Sequence, residues 1–177
     1  MKLPERTPAS LAGLNKMCLF LQERTPGIDK LVEVGGWTGA GTSVFVTHFR
    51  RVFVVDPWDA RQGEIAAEED VRAAEALFNE RHSQNCRVVK VKKPSVTASL
   101  DFADGEVDVV YIDALHRYEA VHDDIQAWIP VVKKGGWLCG HDYDEWRFPG
   151  VVKAVDERFK KSEITTFPDT SWAVRLC

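Results

Sequence analysis

Five short segments rich in apolar and β-branched residues recur along this chain, and stretches with helical spacing separate them. Strands that alternate with helices pair in parallel, because each helix carries the chain back across a face of the sheet. Two further extended segments, residues 163–167 and 172–176, predict a hairpin at the end of the chain. The pattern therefore predicts an α/β fold: a doubly wound, mostly parallel, seven-stranded Rossmann-like sheet with a C-terminal antiparallel hairpin. The strands predicted before the hairpin are Lys30–Val34, Arg51–Val55, Arg87–Val91, Val107–Ile112 and Trp137–Gly140.

Helices are predicted where apolar residues return every three to four positions. Ser10 is a suitable N-cap for the first helix, and Pro130 should kink or end the fourth. The length favours one domain over residues 1–177, with an N-terminal helix and turn in 1–27 and the core in 28–177. The predicted helices are Ser10–Glu23, Gly41–His48, Ala66–His82, Tyr118–Val132 and Val151–Lys160.

Composition narrows the class of protein. Charged residues make up 28% of the chain, the net charge is −4, and the basic residues are scattered, so no nucleic-acid partner is expected. No apolar run is long enough to span a bilayer, and residues 1–10 lack the apolar region of a signal peptide. The four cysteines lie far apart, without the spacing of a metal site or a disulfide framework. We therefore expect a cytoplasmic protein with no membrane partner.

The loop after the first predicted strand is rich in glycine. Glycines allow a tight turn and the close approach of a ligand, and the next helix offers unpaired N–H groups that suit a carboxylate. Asp56 ends the second strand, 21 positions after Gly35, where a carboxylate can accept both hydroxyls of a ribose. Together these features predict a nucleoside site. The loop reads Glu33-Val34-Gly35-Gly36-Trp37-Thr38-Gly39.

The loop alone leaves two kinds of nucleoside open. Read as a dinucleotide motif, Gly35-x-Trp37 puts an indole where the backbone must approach a pyrophosphate, whereas Gly39-x-Gly41 begins a partial match. Glu33 disfavours a pyrophosphate and suits the ammonium of an amino-acid moiety. The sequence contains no Tyr-x-x-x-Lys pair. These residues favour an amino-acid nucleoside and leave an NAD-dependent oxidoreductase as the alternative.

A longer pattern occupies the second half of the chain. It runs Asp108-Val109-Val110-Tyr111-Ile112-Asp113, then His116-x-Tyr118-x-x-Val121-x-x-Asp124-x-x-x-Trp128, then Lys134-Gly135-Gly136, then His141-Asp142. This pattern resembles the class I S-adenosylmethionine-dependent methyltransferases, in the family that includes the macrocin-type sugar O-methyltransferases. The Glu-x-Gly-x-x-x-Gly motif of that family is matched by Glu33, Gly35 and Gly39.

The resemblance implies S-adenosyl-L-methionine as the cofactor and methyl donor. The glycine loop would hold its amino-acid end and Asp56 its ribose, while Pro57 and Trp58 would shape the adenine side. Ser95 would touch the adenine edge or lie in an ordinary turn after Pro94. The implied donor-binding residues are Glu33, Gly35, Gly36, Trp37, Gly39, Asp56, Pro57, Trp58, Ser95 and Asp113.

The same resemblance implies a metal site made of Asp113, His141 and Asp142. Relatives carry an acidic pair after the fifth strand, so His141 replaces one carboxylate here. Mg²⁺ prefers oxygen and Mn²⁺ accepts a mixed shell, so the metal and its presence stay open. Asp113, His116 and His141 are the candidate catalytic residues, because a hydroxyl acceptor must lose a proton and histidine titrates near neutral pH. A cap of the following helix is the alternative for His116.

We therefore expect methyl transfer to the hydroxyl oxygen of a small-molecule acceptor, such as a sugar or another hydroxylated metabolite. Trp146 and Phe148, on the loop after Asp142, are candidates for contact with that acceptor. An NAD-dependent oxidoreductase and a non-catalytic nucleoside-binding module stay open as alternatives. The oligomeric state, including a homo-oligomer, is also open.

Overall fold

Strands and helices alternate along the chain in the computed structural model, which describes residues 3–60 and 67–177. The strands are β1 (Lys30–Val34), β2 (Arg51–Val55), β3 (Val88–Val91), β4 (Val107–Ile112), β5 (Val132–Gly140), β6 (Thr165–Thr166) and β7 (Trp172–Arg175). The α-helices are α1 (Pro8–Arg24), α2 (Ala40–His48), α3 (Glu68–His82), α4 (Ser95–Ser99), α5 (Tyr118–Trp128) and α6 (Pro149–Arg158).

The described strands form one seven-stranded sheet in the order β3-β2-β1-β4-β5-β7-β6. β1 to β5 are parallel, whereas β7 pairs antiparallel with both β5 and β6. The strand order reverses between β1 and β4, and ligands of doubly wound sheets bind at such a point, beyond the carboxyl ends of the strands. The predicted α/β fold, with its mostly parallel sheet and C-terminal hairpin, is confirmed.

Helices cover both faces of this sheet, and each face has its own hydrophobic core. Because neighbouring residues of a strand point to opposite faces, Tyr111 lies in the core beneath α1, α2 and α3, and Val110 lies in the core beneath α5 and α6. Burial on both faces makes β4 a continuous buried run. None of the helices in residues 3–60 and 67–177 has both the length and the apolarity needed to cross a membrane.

The first helix starts earlier than its sequence pattern predicts. α1 begins at Pro8, and its N-cap is Thr7, whose hydroxyl accepts the N–H of Ser10 at 3.1 Å. Proline suits the first helical position because its φ is preset and it has no N–H to satisfy. The prediction that Ser10 caps this helix is therefore wrong, and the Thr7-Pro8 pair begins it instead.

The boundary between α5 and β5 also differs from the prediction. α5 ends at Trp128 rather than Val132, because Pro130 cannot continue the helical hydrogen bonds. β5 begins at Val132 instead of Trp137, and its register with β4 shifts across a bulge. Gly136 allows that bulge, since a Cβ there would lie 2.6 Å from the carbonyl oxygen of Asp108.

Two further helices, α4 and α6, differ from the sequence prediction. α4 was not predicted, because five residues are too few to reveal a helical period. α6 begins at Pro149 rather than Val151, again with proline in its first turn. α3 begins at Glu68, and the predicted start of this helix, Ala66, lies outside the described residues.

Candidate active site

The loop between β1 and α2 meets the ends of β2 and β4 at one edge of the sheet. The N–H of Gly35 donates to the carbonyl of Val55 at 2.8 Å, next to Asp56, and the N–H of Asp113 donates to Val34 at 2.7 Å. Gly35 has a φ of +97°, and a Cβ there would lie 2.0 Å from the carbonyl oxygen of Asp113. Glycine is therefore required at this position. The structure therefore brings Gly35, Asp56 and Asp113 together at this edge of the sheet. We call residues 33–39 and 56–58 the glycine-loop side of this edge.

The Asp56 carboxylate holds the glycine loop in place. Its Oδ2 accepts the N–H groups of Gly36 at 3.1 Å and Trp37 at 2.9 Å, and its Oδ1 accepts the N–H of Trp58 at 2.7 Å. Burial raises the pKa of Asp56, and these three hydrogen bonds oppose that rise. A carboxylate offers about four acceptor sites, so Asp56 keeps capacity for a hydroxyl group of a ligand.

Two tryptophans and a proline form the wall next to Asp56. Trp58 is 6% exposed and donates from its indole Nε1 to the carbonyl of Trp37 at 2.9 Å. Trp37 has a φ of +44° and donates from its own Nε1 to the carbonyl of Pro4 at 3.2 Å. Pro57 lies half-buried between Asp56 and Trp58. This wall therefore joins the loop both to the core and to the N-terminal segment.

Glu33 lies buried at the end of β1, with 2% of its surface exposed. Burial raises the pKa of Glu33 to about 8, against a hydrogen bond from Thr42 and the charge of Arg6. A neighbouring cation favours the ionised form of such a carboxyl. The contact of Glu33 with the ammonium of a ligand stays a prediction. Gly39 lies at the other end of this loop, where a Cβ would lie 2.5 Å from the ring of His82.

Ser95, the predicted adenine contact, lies at the start of α4. Its hydroxyl oxygen accepts the indole N–H of Trp128 at 2.9 Å, and the hydroxyl also bonds the buried Asp124. Burial raises the pKa of Asp124 to about 6, and the Ser95 bond opposes that rise. The Ser95 hydroxyl therefore serves to connect α4 with α5, and its contact with adenine stays a prediction.

Acidic and imidazole groups from β4, β5 and their loops form a second group, the acid–histidine cluster of Asp113, His116, His141 and Asp142. The Nδ1 of His141 lies 3.0 Å from Asp142 Oδ1 and 3.7 Å from Asp113 Oδ1. Burial lowers the pKa of His141, but the bond with Asp142 and the charge of Asp113 outweigh it, so the net shift is upward. Asp142 has a φ of +59°, a strained conformation that points to a constrained position.

His116 is joined to this cluster through Asp142. Its Nε2 lies 2.9 Å from Asp142 Oδ2, and its ring lies 4.6 Å from that of Phe148. The N-cap of α5 is Arg117, which makes no side-chain cap hydrogen bond, so the alternative of His116 as a helix cap is wrong. Burial alone would raise the pKa of Asp142. Hydrogen bonds with His116 and His141 outweigh burial and hold this pKa well below its usual range.

Two charged residues that sequence reasoning missed complete the site. The guanidinium of Arg6 pairs with Asp113, and its other terminal nitrogen lies 4.0 Å from Asp169 Oδ2. The Asp169 side chain is fully buried, accepts the hydroxyl of Ser171 at 2.8 Å, and faces Nε2 of His141 at 3.9 Å. Both residues lie in polar segments next to prolines, a context typical of exposed turns. No sequence signal marks either of them as buried.

The sequence matches the methyltransferase domain family over residues 32–143, more than half of the chain. The chain belongs to that family. An uncharacterized protein of Acanthamoeba polyphaga mimivirus is 26% identical over 131 residues, which cover 71% of this methyltransferase-family chain. The chain spans 57% of the length of that curated relative.

Solved structures share the fold of this methyltransferase-family chain. A protein from Corynebacterium glutamicum aligns with a TM-score of 0.67 and 16% identity, covering 98% of this chain and 82% of its own. A TDP-rhamnose 3'-O-methyltransferase of calicheamicin biosynthesis aligns with a TM-score of 0.63 and 17% identity, covering 96% and 81%. With the sheet order described above, these likenesses identify the class I methyltransferase fold.

The predicted metal ligands of this methyltransferase-family chain do come together. Ligand atoms of Asp113, His141 and Asp142 all lie within 4.8 Å of one another. Asp113 is already paired with Arg6, however, and the two Asp142 oxygens each have an imidazole partner. A Mg²⁺ or Mn²⁺ ion would have to displace these partners, so the residues as arranged fit a divalent ion poorly.

Proposed function

We propose that this chain is an S-adenosylmethionine-dependent methyltransferase that methylates a hydroxyl oxygen of a small-molecule acceptor, such as a sugar. One observation carries the proposal: Gly35, Asp56 and Asp113 lie together beyond the strand ends, at the point where the strand order reverses. Membership of the methyltransferase domain family supports the reaction class. The likeness to a TDP-rhamnose 3'-O-methyltransferase supports a hydroxylated acceptor.

The glycine-loop side is the proposed donor site. S-adenosylmethionine, when bound, supplies a methyl group on a positively charged sulfonium. Residues 35–39 would hold its amino-acid end, with Glu33 facing the ammonium, because a nearby cation favours the ionised form of this buried carboxyl. Asp56 would accept a ribose hydroxyl beside the loop N–H groups that it already binds. Pro57, Trp58 and Ser95 would line the adenine side.

The acid–histidine cluster is the proposed acceptor site. The acceptor hydroxyl becomes a good nucleophile as it gives up its proton, and a positioned histidine can take that proton. We assign this role to His116, whose side chain is 36% exposed, against 16% for His141. Asp142, bonded to His116 Nε2, would stabilise the imidazolium that forms. Asp113 and His141 would orient the acceptor, which holds its oxygen in line with the methyl group.

The loop after β5 supplies a surface for the rest of the acceptor. Trp146 is 96% exposed, and Phe148 stacks beside the His116 ring. A solvent-exposed indole next to polar groups is well suited to pack against the apolar face of a sugar or a similar ring. The acceptor would therefore lie between this loop and His116.

Isothermal titration calorimetry tests the donor half of the proposal. The wild-type protein should bind S-adenosylhomocysteine, the demethylated donor, with a dissociation constant in the micromolar range and should not bind NAD. Asp56→Ala should weaken binding at least about tenfold, the effect of losing one or two hydrogen bonds to a charged group. Asp101→Ala is the matched control, because Asp101 is an exposed carboxylate on a different turn. Binding of NAD in place of S-adenosylhomocysteine would favour the oxidoreductase alternative and contradict the proposal.

Turnover tests the acceptor half. Purified protein is incubated with S-adenosylmethionine carrying a labelled methyl group and with panels of hydroxylated and amine acceptors. Transfer to a hydroxyl acceptor supports the proposal, and transfer to amines alone would move the reaction from oxygen to nitrogen. Donor binding without transfer to any acceptor would favour a non-catalytic nucleoside-binding module.

A further inference from the structure

The guanidinium of Arg6 lies inside the acid–histidine cluster, where 12% of its side chain is exposed. It pairs with Asp113, donates to the hydroxyl of Tyr111 at 3.1 Å, and donates to Ser10 Oγ at 3.1 Å. Asp169 Oδ2 lies 4.0 Å away. A buried guanidinium is stable only where carboxylates and hydrogen-bond acceptors compensate for the loss of water. Arg6 therefore has the environment that a bound cation would need.

The backbone on both sides of Arg6 is anchored. Glu5 pairs with Arg81 of α3 at 3.1 Å, and the carbonyl of Pro4 accepts the indole N–H of Trp37 at 3.2 Å. Thr7 follows immediately and caps α1. Because these contacts come from the glycine loop, α3 and α1, the chain around Arg6 is fixed independently of the ion pair with Asp113. The position of the guanidinium is thus part of the architecture of the site.

We propose that Arg6 is a positioning residue that takes the place of a divalent metal ion at the end of β4. The proposal rests on the function proposed above, in which Asp113 orients the acceptor. The fixed guanidinium holds the Asp113 carboxylate in one orientation, as a metal ion would. It also repels a second cation from that carboxylate, because like charges that share a partner at this range are unfavourable. With Asp142 engaged by two imidazoles, removal of the acceptor proton falls to histidine alone.

Manganese binding tests this proposal without measuring activity. Free Mn²⁺ gives a strong electron paramagnetic resonance signal that disappears on binding, so the protein can be titrated directly. The wild type and Arg6→Lys should show only weak, non-saturating binding, because both keep a cation beside Asp113. Arg6→Gln should gain a saturable site at least about tenfold tighter, since it removes the repelling charge and frees the carboxylate. Adding Asp113→Asn to Arg6→Gln should abolish that site.

The double variant separates the gain of a site from a general loosening of the fold. A misfolded Arg6→Gln protein would not bind Mn²⁺ in a way that depends on Asp113. If Arg6→Gln does not fold, the wild type still decides the matter. Saturable micromolar Mn²⁺ binding by the wild type, lost in Asp113→Asn, would overturn the proposal. Retention of wild-type turnover in excess EDTA would support it. Calorimetry with S-adenosylhomocysteine on the wild type tests the proposed function separately, so failure of one is distinguishable from failure of the other.

Discussion

The glycine-loop side and the acid–histidine cluster lie at the same edge of the sheet but are built in different ways. On the glycine-loop side, one carboxylate, Asp56, accepts three backbone N–H groups, and Gly35 packs its backbone directly on the end of β4. In the acid–histidine cluster, side chains bind other side chains, as in the pairs of Asp113 with Arg6 and of Asp142 with His116.

This difference indicates which kind of change each region tolerates. A backbone loop that is packed without spare room fails when an atom is added, whatever the charge of that atom. A cluster of mutually bonded charges tolerates small changes of shape but fails when one charge is removed, because its partner is left buried and unpaired. Steric variants should therefore damage the glycine-loop side most, and charge or hydrogen-bond variants should damage the cluster most.

The largest effect is expected from Gly35→Ala. The added Cβ would lie 2.0 Å from the carbonyl oxygen of Asp113, and the residue would keep a φ of +97°. Backbone strain and overpacking together should lower the free energy of unfolding by about 3–5 kcal/mol. Urea denaturation gives the change in stability, and calorimetry should detect no binding of S-adenosylhomocysteine.

Gly27→Ala is the matched control for this substitution. Gly27 also has a positive φ, of +88°, but nothing lies within 4 Å of a Cβ placed there. The Gly27→Ala variant should lose only the part of the free energy of unfolding that comes from the positive φ, about 1–2 kcal/mol. It should keep its affinity for S-adenosylhomocysteine. Equal losses at the two positions would mean that contact with Asp113 does not matter.

The next effect concerns catalysis rather than stability. His116→Asn removes the proposed base and should lower the turnover number by about 10²- to 10³-fold. Affinity for S-adenosylhomocysteine should stay within about threefold of the wild type, because His116 lies in the cluster and not in the glycine loop. His122→Asn, an exposed histidine on α5, should leave both quantities unchanged. Rates from both variants in a labelled-methyl assay provide the comparison, and normal turnover by His116→Asn would assign the proton to another group.

The residues that directly follow the strands could be predicted from sequence, both on the glycine-loop side and in the cluster. Gly35, Asp56 and Asp113 each come directly after a predicted strand, so the parallel topology alone brings them to one edge. His141 and Asp142 follow the same logic after β5. Once the alternation of strands and helices is recognised, the position of each strand end is known. The residues that meet at this edge of the sheet can then be named from the sequence.

Arg6 and Asp169 could not be predicted in this way. Arg6 precedes the first helix and Asp169 lies in the β6–β7 turn, and each reaches the cluster only through tertiary packing. Gly13 illustrates the point, since α1 comes so near the turn that a Cβ on Gly13 would lie 2.5 Å from Asp169 Cβ. The sequence around these residues contains no periodicity that specifies such a contact.

A smaller effect is expected from the link between α4 and α5. Burial raises the pKa of Asp124 from 3.8 to about 6, so the folded state holds this proton more tightly than the unfolded state does. The contribution of Asp124 is therefore fully present below about pH 4 and is lost as the pH rises through 6. Relative to Asp124→Asn, the wild type should lose about 1–3 kcal/mol of unfolding free energy between pH 4 and pH 7.

Urea denaturation at several pH values measures this difference. Other titrating groups are common to the two proteins and cancel when the variant is subtracted. Asp101→Asn, at an exposed carboxylate that follows α4, serves as the control and should show no comparable trend. A wild-type advantage that grows with pH would have the wrong sign and would mean that Asp124 is stabilised as a carboxylate.

The smallest effect is expected from Trp146→Ala, in the loop beside the cluster. Trp146 is 96% exposed, so its removal should cost no measurable stability. If the indole packs against the acceptor, the KM for that acceptor should rise about three- to tenfold, with the turnover number and the donor affinity unchanged. Leu100→Ala, at an 82% exposed apolar position elsewhere on the surface, should leave all three quantities as they are.

An unchanged KM in Trp146→Ala would show that the acceptor enters by another face. A fall in turnover without a change in KM would instead mean that this loop orients His116. The acid–histidine cluster would then depend on an uncharged residue, Trp146, as well as on its charged ones.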